Sequence, residues 1–271
     1  MNNIKISWEI TKKLLKNKST YIAIIFIIMC FGLYTNYMPM SKEYVNEFYT
    51  NYLYYLKGPT VLCLAILPVI GIFSILIYIK IAKSKEIISR INTKRSYITI
   101  QILTNIFLVT IIYIVSIIGS ILLTLIISKF YINPPDIILL PYVDLQHHTE
   151  RLRMDPNLFI FLALFKWYMA TIAIQMFMYI FCVAFKSKVY SVGVLALILV
   201  FIENASSFTT GSITDKLLIH FYLGFDVGFA YKNISQLVGA SVIYFSCIFV
   251  ISIILIYIIS KNKDVENDAR Y

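Results

Sequence analysis

Two ionisable residues, Lys166 and Glu203, stand inside apolar segments and are the first places where this sequence could do chemistry. A charge inside a bilayer is costly, so such residues usually pair or line a polar path. At 1.5 Å per residue, both fall about 8–12 Å below the outer membrane surface. We expect them to form an intramembrane pair or to line a pathway. The alternative is that Lys166 snorkels and Glu203 is simply interfacial.

The motifs that mark common enzyme classes are absent from the sequence. No Gly-Lys-Ser/Thr triplet occurs, so there is no P-loop, and there is neither an HExxH zinc motif nor a G-x-S-x-G nucleophile elbow. His147, His148 and Glu150 lie close together, but a fourth metal ligand at a suitable spacing is missing, which favours solvated loop residues. We therefore predict a protein that is not an enzyme, holds no metal and needs no cofactor.

The composition indicates a membrane protein. The 271 residues are 59% hydrophobic and only 14% charged, whereas soluble domains are about 25% charged. The apolar residues form segments of a length that suits a bilayer crossing, which needs about 20 residues. We predict an all-α membrane protein with a single transmembrane domain over residues 1–271 and six spans, at 20–38, 60–80, 97–128, 158–185, 188–205 and 238–260.

The basic residues predict the orientation of these spans. Sixteen of the 24 Lys and Arg residues fall before the first span, after the second, after the fourth and after the sixth. An excess of Lys and Arg marks cytoplasmic segments, so we predict a multi-pass plasma-membrane protein with both termini in the cytoplasm. The net charge of +10 is divided among these short connections rather than gathered on one surface, which argues against nucleic-acid binding.

The first residues are typical of an interfacial helix over residues 3–18. Ile4, Trp8, Thr11 and Leu15, with Ile10 and Leu14 beside them, recur at helical spacing, while Lys12, Lys13 and Lys16 take the other face. Such a helix suits the inner membrane interface, and the alternative is a charged flexible leader. On the outer side, the prolines of segment 129–157 predict an irregular cap, and segment 206–237 predicts short outer helices.

The connection between the second and third spans, Lys80–Tyr97, combines basic and apolar residues in a short stretch. It is too basic for a core element and too apolar for a solvated loop. We therefore predict a cytoplasmic amphipathic helix that docks on lipid headgroups or in the groove of a partner. Its candidate contact residues are Lys85, Glu86, Ile87, Ile88, Arg90, Ile91, Lys94 and Arg95.

These features together resemble the membrane subunit of an ATP-binding-cassette (ABC) transporter, of the type-2 exporter family. The resemblance is carried by the N-terminal interfacial helix, the six spans and the run from Glu86-Ile87-Ile88 to Thr93-Lys94-Arg95-Ser96. The run lacks the Gly after the Glu and the Pro before the Ser-Arg pair that the family usually has. In its small size and its composition rich in Ile, Lys, Asn and Tyr, the chain is similar to permeases of low-GC Gram-positive bacteria. Those permeases export antimicrobial or toxin-like peptides, or protect against them.

The resemblance implies an exporter whose ATP hydrolysis takes place in a separate subunit. Two copies of a nucleotide-binding ATPase subunit would contact the helix after the second span, and a second membrane subunit, identical or homologous, would complete the path. The implied substrate is hydrophobic or amphipathic. Two other interpretations stay open: a membrane sensor, immunity or scaffold protein that binds a peptide without transport, and a membrane enzyme without a recognised motif.

Overall fold

A computed structural model describes residues 3–37, 66–67, 69, 71–73, 93–128, 138–143, 149–185 and 234–261. Within these residues the helices are α1 (Asn3–Leu15), α2 (Lys18–Tyr37), α3 (Lys94–Ile127), α4 (Pro156–Ala184) and α5 (Ile234–Lys261). Two strands, β1 (Ile138–Val143) and β2 (Thr149–Met154), lie between α3 and α4. The described chain is therefore mainly helical, as its apolar segments predict.

Three of these helices are long and apolar enough to cross a membrane: Lys94–Ile127, Pro156–Ala184 and the Val238–Ser260 part of α5. At 1.5 Å per residue, the 34 residues of α3 extend about 51 Å, well beyond a hydrocarbon core of about 30 Å. A shorter apolar stretch, Lys18–Cys30, belongs to α2. These lengths suit a protein inserted in a bilayer.

Large apolar side chains on the outside of the helices support the same conclusion. Ile22 of α2 is 67% exposed, Phe161 of α4 is 65% exposed and Ile243 of α5 is 66% exposed. A soluble monomer rarely leaves so much apolar surface in water. Lipid chains are the surroundings that fit these faces.

Capping residues explain where two of the long helices begin. The Asp155 carboxylate accepts hydrogen bonds from the backbone N–H groups of Asn157 and Leu158, both at 2.9 Å, and Pro156 occupies the first turn. Thr93 caps α3 in the same way, accepting from the Ser96 N–H at 3.2 Å. Caps satisfy N–H groups that the helix itself leaves free. Both helices therefore start a few residues before the apolar segments that predict them.

Helix α3 lies at the centre of the described packing: α1, α2, α4 and α5 all pack against it, and α5 also runs along α4. The contact of α2 with α3 is close at Gly119. A Cβ on this glycine would approach the Ile28 side chain to 2.8 Å at Cγ1. A small residue there lets the two helices come together.

The structure corrects two expectations. Part of the outer segment 129–157, predicted to be irregular, is a two-stranded antiparallel hairpin in which Ile138 pairs with Met154 and Val143 with Thr149. Pro141 is compatible with it because each strand of a two-stranded ladder has a free edge, where no N–H is needed. The second correction concerns α1: the sequence pattern predicts Lys12 on the face opposite to Trp8, whereas both side chains are exposed and the Lys12 Nζ lies 5.5 Å from the centroid of the Trp8 ring. The buried residues of α1 are Ile6, Ser7, Ile10, Thr11 and Leu14.

Candidate functional site

Lys166 is a fully buried charge-bearing side chain in the middle of α4. Its exposure is 0%, and it is among the largest side chains that the protein encloses completely. It lies ten residues after Pro156, or about 15 Å along the helix. A snorkelling lysine would extend its ammonium to the surface, so the burial of Lys166 argues for an interior role.

The direction of Lys166 follows from the contacts of its neighbours. Tyr168 and the Leu164 carbonyl on the same helix contact α3. At 100° per residue, Lys166 is rotated about 180° from the mean direction of these two positions. Lys166 therefore lies on the side of α4 that is turned away from α3.

Where α4 faces α3 there is an amide cluster, formed by Gln175 of α4 with Gln101 and Asn105 of α3. Gln175 Nε2 donates to Asn105 Oδ1 at 3.0 Å, and Asn105 Nδ2 donates to the backbone carbonyl of Gln101 at 3.2 Å. All three side chains are buried, and Gln101 Nε2 has no hydrogen-bond partner within the described part of the chain. In a bilayer such amides hold helices together, because hydrocarbon offers them no other partner.

Two hydroxyl contacts continue this polar seam along α3 and α4. Thr110 Oγ1 and Tyr168 Oη lie 3.0 Å apart, and Tyr113 Oη donates to the Leu164 carbonyl at 2.7 Å. Partner numbers fall along α4 as they rise along α3, so the two helices are antiparallel. These residues were not among the predicted site residues; the one available signal is that Thr110 and Tyr113 fall about one turn apart on α3.

One end of the bundle gathers the basic residues. Lys94 and Arg95 lie in the first turn of α3. One turn later, the Thr99 Oγ1 lies 2.8 Å from the Tyr257 Oη of α5. The contact places the start of α3 next to the end of α5, which finishes at Lys261. Cations at a helix N-terminus oppose the helix dipole, so Lys94 and Arg95 do not stand there to stabilise α3.

The structure places three of the predicted site residues. Lys94 and Arg95 lie at the start of α3, and Lys166 lies inside α4. Among the described residues these two groups do not form one site, since they belong to different parts of the bundle. The other predicted site residues lie outside the described residues: Lys85, Glu86, Ile87, Ile88, Arg90, Ile91 and Glu203.

The predicted span at 188–205 and the predicted outer helices of 206–237 also lie outside the described residues, except for the first turn of α5. Of the span at 60–80, only residues 66–67, 69 and 71–73 are described, and these are helical.

A scan against protein-family models gave no match, and searches of curated proteins and of solved structures gave none either.

Proposed function

We propose that the chain is the transmembrane permease subunit of an ABC exporter of the type-2 family. It would move a hydrophobic or amphipathic substrate, such as a peptide or a toxin-like compound, out of the cell or the membrane. ATP hydrolysis would occur in two copies of a separate ATPase subunit. A second membrane subunit, identical or homologous, would complete the path.

The observation that carries this proposal is the complete burial of Lys166 in a helix long enough to span a bilayer. A bilayer-spanning helix retains a lysine at this depth at a considerable energetic cost, and such residues mark transport paths far more often than structural cores. The amide cluster on the other side of α4 gives this helix a second polar surface. A helix of bilayer-spanning length with polar groups on two sides suits a protein whose helices rearrange around a substrate.

The basic end of the bundle supports the proposed coupling to an ATPase. Lys94 and Arg95 follow directly on the connection after the predicted second span, and they occupy a helix end where their charge is unfavourable. A cytoplasmic position explains their presence. Contact with an acidic surface of the ATPase would also give these charges a function, and would move α3 when the ATPase subunits close.

The topology in this proposal has six spans and both termini in the cytoplasm. The Thr99 and Tyr257 contact supports it, because it places the first turn of α3 and the last turn of α5 at one end of the bundle. In the proposed topology both of these turns face the cytoplasm. The Lys and Arg residues on either side of them satisfy the same orientation rule.

The test is purification of the affinity-tagged chain from its own host, followed by identification of any protein that carries a P-loop. We expect an ATPase subunit to co-purify, and the Lys94→Glu/Arg95→Glu variant to lose it while still entering the membrane. Lys261→Glu, at the neighbouring end of α5, is the matched control and should retain the ATPase. A chain that binds a peptide but purifies without any ATPase would instead establish the sensor, immunity or scaffold alternative.

A further inference from the structure

The exposed side of α1 forms a continuous basic face. Its members are exposed and lie around a single side of the helix, with the last of them directly after the end of α1 at Leu15: Ile4, Lys5, Trp8, Lys12, Lys13 and Lys16. Glu9 is the only acidic residue among them. A lysine-rich face that also carries a large aromatic residue is typical of helices that bind membrane surfaces.

Contacts with α3 fix the direction in which this face points. Ser7 Oγ donates to the Ile100 carbonyl at 3.2 Å, and Ser7 and Thr11 are fully buried. The Trp8 ring meets the Phe107 ring edge-on, with centroids 6.0 Å apart. The buried side of α1, which includes Ser7, therefore rests on α3, and the lysines of the basic face are exposed on the remaining side of the helix.

The sequence of α3 indicates the depth at which this face lies. Charged and amide side chains occur up to Asn105, and from Ile106 to Ile127 the helix carries neither, although it has hydroxyl side chains. That stretch of 22 residues is about 33 Å long, close to the thickness of the hydrocarbon core. Phe107 therefore lies near the start of the stretch that suits the hydrocarbon, and Trp8, which meets its ring edge-on, lies at the level where tryptophan prefers to be.

Lys12 is positioned beside this tryptophan. Its Nζ lies 5.5 Å from the centroid of the Trp8 ring. With Trp8 at the hydrocarbon edge, the ammonium group is at the level of the lipid phosphates, and Lys5, Lys13 and Lys16 present further charges around it. Attraction of this kind between lysines and anionic lipid headgroups is worth about fivefold in affinity for each lysine near the surface.

We propose that the basic face of α1 binds the headgroups of anionic phospholipids, with Lys12 as the main phosphate contact and Trp8 setting the depth. The inference goes beyond the proposed transport function and does not depend on it. In this proposal, anionic phospholipids of the surrounding membrane are ligands of the protein.

The test uses the fact that the chain has two tryptophans, Trp8 and the fully buried Trp167. The full-length Trp167→Phe variant is reconstituted in phosphatidylcholine vesicles in which one tenth of the lipid carries bromine near the headgroup. The brominated lipid is either phosphatidylglycerol or phosphatidylcholine. We expect brominated phosphatidylglycerol to quench Trp8 more strongly, and the difference to shrink at high salt because salt screens the charges.

Charge variants identify the residues responsible. Lys12→Gln should reduce the preference for phosphatidylglycerol by up to about fivefold, whereas Glu9→Gln should increase it. The Trp8→Phe variant, which retains only Trp167, should show no difference between the two lipids. Equal quenching of Trp8 by both lipids would overturn the proposal, and so would weak quenching by both, since it would mean that water or another protein covers the face.

A second measurement covers the case in which Trp167→Phe does not fold. Spin-labelled phosphatidylglycerol and phosphatidylcholine report directly on the lipid immobilised at the surface of the unmodified chain. We expect a larger immobilised fraction for phosphatidylglycerol, and a loss of that difference when Lys5, Lys12, Lys13 and Lys16 are all replaced by Gln. An equal fraction for both lipids in the unmodified chain would refute lipid selection at α1.

Discussion

Gln175 of α4 donates a hydrogen bond to Asn105 of α3, with 3.0 Å between Nε2 and Oδ1, and water reaches neither side chain. The two residues are 70 positions apart in the sequence. The bond joins two helices that otherwise contact each other largely through apolar and hydroxyl groups. This hydrogen bond fixes how α3 and α4 are rotated about their own axes relative to each other.

We predict that this bond stabilises the helix pair measurably. Asn105→Leu and Gln175→Leu should each lower the free energy of unfolding, because each leaves a buried amide with fewer partners. The double variant should lose less than the sum of the two, with a coupling energy between about 0.6 and about 1.7 kcal/mol. Thermal unfolding in detergent provides the measurement. Asn105→Leu combined with Tyr257→Phe, which lies in a different contact, should be additive within about 0.5 kcal/mol.

The close contact at Gly119 leads to a second prediction. Gly119→Ala should be less stable than Gly239→Ala by about 1–3 kcal/mol, because at Gly119 the new Cβ meets the Ile28 side chain of α2. Shortening that side chain with Ile28→Ala in the same protein should restore part of the loss. Gly239→Ala is the matched control in α5, where a Cβ would meet nothing within 4 Å. It should be neutral or stabilising by up to about 1 kcal/mol. Equal melting temperatures for the two alanine variants would contradict the prediction.

The pairing of Lys166 with Glu203 remains a prediction, and the burial of Lys166 makes its test sharper. Lys166→Met and Glu203→Gln should each lower stability or transport, because each leaves a poorly solvated group, with a cost of about 1–3 kcal/mol. The double variant should be milder than the sum. Lys12→Met, on an exposed lysine, should change stability by less than about 0.5 kcal/mol. A Lys166–Glu203 coupling below about 0.5 kcal/mol would show that the two residues do not interact.

The topology is open to a direct test by reporter fusion. Because Thr99 and Tyr257 are in contact, fusions beside the start of α3 and beyond the end of α5 should report from the same side. We expect a cytoplasmic signal at Lys18, Lys94 and Lys263 and an external signal at Lys42, His147 and Lys232. An external signal at Lys94 would refute both the orientation and the contact with an ATPase.

The existence of the helices could be predicted from the sequence, but their ends and faces could only partly be predicted. Helix α4 begins at Pro156, capped by Asp155, rather than at the first apolar residue. A cap acts through hydrogen bonds to the backbone, which hydropathy does not measure. The Asp-Pro pair was a readable signal of this start.

The buried face of α1 shows a deeper limit. Hydropathy selects Trp8 and not Ser7 for the apolar stripe of α1, whereas the side chain that the protein buries is Ser7 and Trp8 is exposed. At a membrane surface both sides of a helix meet apolar surroundings, so apolarity cannot separate the protein side from the lipid side. Small hydroxyl residues such as Ser7 and Thr11 allow close helix packing, and this steric property decides the face.

The environment of Lys166 could not be predicted from the sequence because its position alone permits both snorkelling and burial. The choice depends on which helices surround α4, and this is a matter of tertiary packing. The Asn105 and Gln175 amides, in contrast, were recognisable as groups that hold helices together, since amides in apolar helices seek one another. Which partner each would take required the register of α3 against α4.

The position of Gly119 in α3 has a mechanical consequence. The helix is an uninterrupted rod of 34 residues, and its close contact with α2 at Gly119 lies far from the middle. A rod that tilts about this contact has one arm of about 38 Å toward Lys94 and another of about 12 Å toward Ile127. A tilt of about 5° moves the basic end by about 3 Å and the opposite end by about 1 Å, in the reverse direction. A tilt of α3 about this contact would therefore turn a large displacement at Lys94 into a smaller one at Ile127.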